Sequence, residues 1–272
     1  MIMKQKVKNR HPLRDYVDQL QGKGYYTFLR KDALKALKTT DTAFKFAANR
    51  LVKKGRIISP RRGFYVIVPT EYKVAGAPPA TWFIDELMKF HKAPYYVGLL
   101  SAAALHGAAH QQPQEFQIIT SIPLRPIRVG REKIRFFTKK QTAHTPIEKK
   151  KGATGFFPIS TPEATAFDLL RYSSSVGYLG NVATVLNELK AMISSVHLLE
   201  IAKAEGEVAY AQRLGFLLDY LGASALTGQL YKWVKRHAPL SVPLVPTRKL
   251  TGHPRKDLKW AILINEKVEV DR

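Results

Sequence analysis

Thr42, Lys45, Asn49, Arg50 and Lys53 recur at helical spacing in one short stretch, and their side chains are of the kinds that read and hold a polyanion. An amide such as Asn49 pairs with adenine, and Lys45 or Arg50 with guanine. Each good base contact is worth about 1–3 kcal/mol of discrimination. At roughly 100° per residue, Phe44, Ala47, Ala48 and Leu51 share one face, while Thr42, Lys45, Phe46, Asn49 and Lys53 share the opposite one with Arg50 on its flank. Asp41 or Thr40 is placed to cap this helix, and Gly55 to end it. Arg56–Ser59 and Phe64–Val68 then read as a β-hairpin around Pro60-Arg61-Arg62-Gly63, so Arg61 and Arg62 tip it, within reach of a minor groove or of phosphates.

The elements that must position these residues come just before them. Leu13, Tyr16, Val17 and Leu20 predict a helix over His11–Gln21, broken by Gly22-Lys23-Gly24, and Thr27 opens a second that runs to about Leu37. Taken singly, these are ordinary helices with a solvated basic face. In this order, helix, turn, helix and arginine-tipped hairpin resemble a winged helix-turn-helix, whose second helix enters the major groove of duplex DNA. One such domain covers a short half-site, so tight binding calls for two copies on a palindrome.

The chain of 272 residues can hold two domains, and its formal net charge of +23 points to a polyanionic partner. Through residue 70 there are 17 basic and 4 acidic side chains, over half of the excess. The Lys4–Arg10 run is a candidate phosphate-touching arm. With no cysteine there is no thiol chemistry or disulfide framework, and the start of the chain lacks a signal-peptide core, so a cytoplasmic protein with no membrane segment is expected. Three domain-level segments are expected: residues 1–70 for DNA, a Pro-containing linker over 71–80, and a mixed α/β domain over 81–272 with a small sheet and a helical layer. The fold class is α+β.

In the second domain Tyr95–Ala108 reads as a buried helix ended by Gly107, Phe116–Thr120 as a strand, and Arg131 onward as a half-exposed strand with a basic outer face. Arg125, Arg128, Arg131, Lys133 and Arg135 could form a second contact strip or a merely solvated hairpin. Lys149–Lys151 reads as a basic loop. Thr161 caps a helix with Pro162 at its first position. Four helices follow between residues 180 and 235, and Trp260–Asn265 is expected as a strand added late to the sheet. His106 and His110 could be imagined as a metal pair, but Gly107 breaks the spacing and no carboxylate completes it. No catalytic residue, metal or cofactor is assigned. A nuclease would need clustered carboxylates beside a lysine; Glu188 and Asp257 each have one, Lys190 and Lys259, but no second carboxylate. General RNA binding through residues 122–151 is the other alternative.

Three further features matter together with the winged motif: Tyr95 to Gly107, the Thr161-Pro162-Glu163-Ala164-Thr165-Ala166-Phe167-Asp168-Leu169-Leu170 helix, and the strand from Trp260 to Glu266. In this order they resemble the AbiEi antitoxins of bacterial abortive-infection toxin-antitoxin systems. The resemblance implies a repressor that binds inverted repeats in its own promoter, and a C-terminal domain that neutralises a nucleotidyltransferase-type toxin without a stable complex. It places DNA reading on Thr42, Lys45, Asn49 and Arg50 and on Arg61 and Arg62, and names no residue for antitoxin activity.

Overall fold

The computed structural model describes residues 11–108, 113–250, 252 and 254–270. Of these, residues within Met1–Ala93, Arg125–Ile134 and Lys151–Phe157 make one compact unit; Pro94–Leu124, Arg135–Lys150 and Pro158–Arg272 make a second. The units thus divide differently from the segments expected on either side of a linker over residues 71–80. Pro78 and Pro79 lead into a 3₁₀ turn at Ala80–Trp82, and Ala77 and Ala80 are buried, so this stretch packs within the first unit rather than serving as a loose linker.

The first unit opens with helix α1 (Pro12–Gly22), strand β1 (Thr27–Leu29), helices α2 (Arg30–Leu37) and α3 (Asp41–Lys53), and strands β2 (Ile57–Arg61) and β3 (Phe64–Ile67). Its sheet has the order β1-β3-β2. Thr27–Leu29 is a strand where the sequence suggested the start of a helix. Thr27 pairs with Val66 and Leu29 with Phe64, which buries Phe28, so tertiary pairing outweighs local helix preference. Leu13, Val17, Phe28, Ala33, Phe44, Ala48, Leu51, Ile57 and Ile67 form one core, with Phe28 stacked on Tyr65 at 5.1 Å between centroids. Helix α4 (Ile84–His91) and strand β6 (Ile127–Val129) also belong to this unit.

The second unit holds β4 (Tyr95–Val97), α5 (Leu99–His106) and β5 (Phe116–Thr120); β7 (Glu132–Thr138), β8 (Ile147–Lys151) and β9 (Phe156–Ser160) are partly in it. Its strands run in the order β7-β5-β4-β9-β8. Tyr95–Val97 is therefore not helix. It pairs antiparallel with β5 and parallel with β9, and Gly98 separates it from α5 where a Cβ would stand 2.8 Å from Ile119 Cδ1. Lys149–Lys151 likewise lies in β8, an edge strand, where exposed lysines deter further strand pairing.

Helices α6 (Pro162–Arg171), α7 (Tyr178–Leu189), α8 (Ser195–Glu205), α9 (Val208–Tyr220) and α10 (Ser224–Arg236) make the helical layer. Thr161 caps α6 as its sequence suggests, its hydroxyl accepting from the Ala164 amide at 3.3 Å. The closing strand β12 (Ile262–Ile264) joins a separate three-stranded sheet with β10 (Val242–Pro243) and β11 (Arg255–Asp257), in the order β10-β12-β11, and not the larger sheet.

Trp260 fastens that small sheet to α9. Its indole N–H donates to Asp219 at 2.6 Å, and its ring lies over Gly215, where a Cβ would stand 2.3 Å from two ring carbons. Burial pushes the Asp219 carboxyl up, but hydrogen bonds from Lys259, Thr227 and Trp260 outweigh it and hold the group below its ordinary range. Gly215→Ala is expected to destabilise the protein by about 1–3 kcal/mol through overpacking, less the ~1 kcal/mol that alanine gains in a helix interior. The ring is buried and held by its hydrogen bond to Asp219. A thermal melt should show a lower midpoint, by roughly 2–4 °C per kcal/mol lost.

Candidate nucleic-acid interface

Helix α3 starts at a cap formed by Thr40, whose hydroxyl accepts from the Ala43 amide at 3.3 Å. Phe44, Ala48 and Leu51 are buried beneath it. The buried stripe fixes the helix's rotation, so Thr42, Lys45, Asn49, Arg50 and Lys53 are all exposed, and Phe46 among them is 64% exposed. Among the described residues none of Lys45, Arg50 and Lys53 has an acidic partner, whereas neighbouring Arg30 is paired with Asp41 and Arg56 with Asp18. Arg50 also lines a shallow recess with His11, Arg14 and Lys54.

The β2–β3 hairpin is short. Arg62 stands exposed at its turn, beside Gly63 at φ +90°. Arg61 is only half exposed, because its guanidinium donates to the carbonyls of Pro60, at 3.4 Å, and of Arg125. Burial, and then the positive charge of Arg125, lower the Arg61 pKa. The two arginines are thus not equivalent: one is offered to solvent and the other is fastened within the unit. The Lys4–Arg10 arm lies outside the described residues.

His106 and Asp257 have structural partners. His106 Nε2 stands 2.8 Å from the Ser160 carbonyl oxygen, and Glu148 is 3.7 Å from Nδ1; His110 lies outside the described residues. The Asp257 carboxylate accepts from the Trp260 amide at 2.7 Å. Among the described residues no group of three or more His, Cys, Asp or Glu could hold a metal ion. None of their helices is long and apolar enough to cross a membrane.

Sequence reasoning missed a buried ionic network in the second unit. Lys139 Nζ, on a side chain 3% exposed, donates to Asp168 Oδ1 at 3.2 Å and to Thr145 Oγ1 at 2.8 Å, and also contacts Glu205. Tyr96 donates its hydroxyl to Asp168 Oδ2 at 2.8 Å, and Arg171 bridges Glu205 and Glu207 at 2.7 and 2.9 Å. Complete burial pushes the Asp168 carboxyl up, against the pull of Lys139 and the Tyr96 hydroxyl. Burial also raises the Tyr172 phenol, to about 12. Lys139 follows several basic residues that are exposed or half-buried, and nothing in its spacing marks it as the one turned inward.

Asp168 and Tyr96 lie within the segment that decides the family: residues 96–220 match the AbiEi antitoxin C-terminal domain. Residues 96–220 form an AbiEi antitoxin C-terminal domain. No curated protein matches it. The fold of this chain is similar to that of the RV2827C protein from Mycobacterium tuberculosis, with a TM-score of 0.65 at 16% identity, covering 92% of this chain and 90% of that one. At that identity the likeness speaks for the fold alone. The AbiEi match supports a role in a toxin-antitoxin system.

Proposed function

We propose that the first unit is a winged helix-turn-helix that binds the promoter of its own operon and represses it, while the AbiEi domain counters a nucleotidyltransferase-type toxin without a stable complex. The observation that carries the DNA reading is the outward face of α3, where Lys45, Asn49, Arg50 and Lys53 are exposed and the three cations have no acidic partner among the described residues. The order α1-β1-α2-α3-β2-β3 and the sheet β1-β3-β2 support it, because they set a hairpin beside the third helix. Exposed Phe46 adds an apolar group suited to a thymine methyl.

Binding of the full chain to its own upstream duplex, compared with a base-shuffled duplex at the same salt, tests this reading. A preference of at least about 10³ is expected for specific recognition. Equal affinity for the two duplexes would remove the repressor reading and leave only polyanion binding. For the AbiEi domain, co-expression with a nucleotidyltransferase-like toxin from the same operon should restore growth, and no co-purifying complex is expected.

A further inference from the structure

We propose that an aromatic-walled, acidic groove in the first unit binds a small organic cation, a primary ammonium carried on an apolar body. The site stands independently of the DNA reading, because none of the residues named for DNA lines it.

The groove lies where three stretches of the chain meet: the turn from α1 to β1, the 3₁₀ turn with the start of α4, and the turn from β8 to β9. The lining residues of all three belong to the first unit. Its volume of about 490 Å³ is in the range of small-molecule sites. The walls are the rings of Tyr25, Tyr26, Trp82 and Phe156. Tyr26 and Trp82 are fixed in place. Their rings meet edge to face at 4.7 Å, Tyr72 packs on Trp82 at 5.2 Å, and the Trp82 carbonyl accepts from the Thr154 hydroxyl at 2.9 Å. The Tyr26 carbonyl in turn accepts from the Ile67 amide at 2.8 Å. Tyr25 and Phe156 are instead held in water, 61% and 58% exposed. The Gly152 amide closes the β8–β9 turn onto the Gly155 carbonyl at 2.7 Å, and Phe157 is buried, so strand alternation turns Phe156 outward. Two large rings left in solvent along one groove forgo apolar burial that a ligand's body would restore.

The local charge is negative in a chain of formal net charge +23. Asp85 and Glu86 line the groove with Lys89, whose ammonium lies 2.8 Å from each carboxylate. Hydrogen bonds to Asp85 and then Glu86 raise the Lys89 pKa. The pair thus already holds a primary ammonium, and two carboxylates against one ammonium leave the lining with a net charge of −1. A cation among these rings also gains from their π-faces. Lys89 is 63% exposed on a long flexible side chain, so it competes with a ligand for the carboxylates and adds little to the fold. The chain as a whole repels cations, and saturable binding of one must therefore arise locally.

The test is isothermal titration calorimetry of 2-phenylethylammonium with the full chain. Two further probes, 2-phenylethanol and ammonium chloride, lack the charge and the apolar body in turn. The amine should saturate with a Kd of about 1 mM or tighter, which a ligand of this size can reach, and neither of the others should match it. Phe156→Ala should weaken binding by about two-fold to thirty-fold. Glu86→Gln should weaken it by about tenfold or more. Lys89→Met removes the resident ammonium and should bind the amine more tightly. All three substitutions fall on exposed side chains, so the melting temperature should hold. No saturable binding by wild type or by Lys89→Met overturns the site. So does binding that 2-phenylethanol matches, binding that persists unchanged in Phe156→Ala and Glu86→Gln, or binding that Lys89→Met fails to strengthen.

Discussion

Alanine at both Lys45 and Arg50 is expected to weaken binding to the promoter duplex by about thirty-fold to twenty-thousand-fold at fixed salt. The range follows from two base contacts of about 1–3 kcal/mol each, at 1.4 kcal/mol per tenfold. Both side chains are exposed and make no ion pair within the described protein, so neither removal leaves a stranded partner. The melting temperature should stay where it is, because surface substitutions of this kind shift stability by no more than about 0.5 kcal/mol. That separation makes the result informative. A loss confined to the promoter duplex assigns base reading to α3. An equal loss on a shuffled duplex assigns phosphate contact instead, and Arg50, which lines the recess with His11, Arg14 and Lys54, is the residue placed for that. Asn49→Ala should then relax discrimination at one adenine without changing the salt slope, since it removes an amide and no charge. Unaltered promoter affinity in the double variant would move recognition away from this helix.

Residues whose role is set by near neighbours were legible in the sequence. Asp41 and Thr40 both offer a cap for α3 and Thr40 supplies it, while Thr161 caps α6 as read, each hydroxyl accepting from the amide three residues on. The outward face of α3 follows from the period of Phe44, Ala48 and Leu51 alone. What depends on distant partners was not legible. Thr27–Leu29 becomes a strand only because Phe64–Val66 arrives beside it, and Tyr95–Val97 only because β5 and β9 do. The arginines of residues 125–131 read as a strip that could be solvated; that they belong with α3 depends on Ala75, Gly76 and Ala80 meeting Gly130–Glu132 more than fifty residues later. Lys139 looked like one more basic residue in a basic segment. Its inward turn is decided by Asp168 and Glu205, which lie on α6 and α8, well beyond it along the chain.

Lys139→Met is expected to be among the most damaging single changes in the AbiEi domain, costing about 3–5 kcal/mol. Taking two charges out of water is expensive, and removing one partner of a buried pair leaves the other uncompensated. Here the stranded group is Asp168, which is fully buried and would keep only the Tyr96 hydroxyl as donor, while Glu205 retains Arg171. At roughly 2–4 °C per kcal/mol the thermal midpoint should fall by about 6–20 °C. The pH dependence gives the sign. Burial already raises the Asp168 carboxyl, and without the ammonium it should rise further. A carboxyl whose folded pKa lies above its unfolded value adds stability at low pH, which is lost as pH rises through the folded pKa. The deficit of the variant against wild type should therefore shrink as the solution is made more acidic. Lys139→Met with Asp168→Asn removes both charges together and should recover a large part of the loss, a coupling that a double-mutant cycle measures directly. A deficit that is constant with pH, or a double variant no better than Lys139→Met alone, would mean that the lysine supports this domain by packing against Tyr96 and Thr145 and not by holding a buried carboxylate.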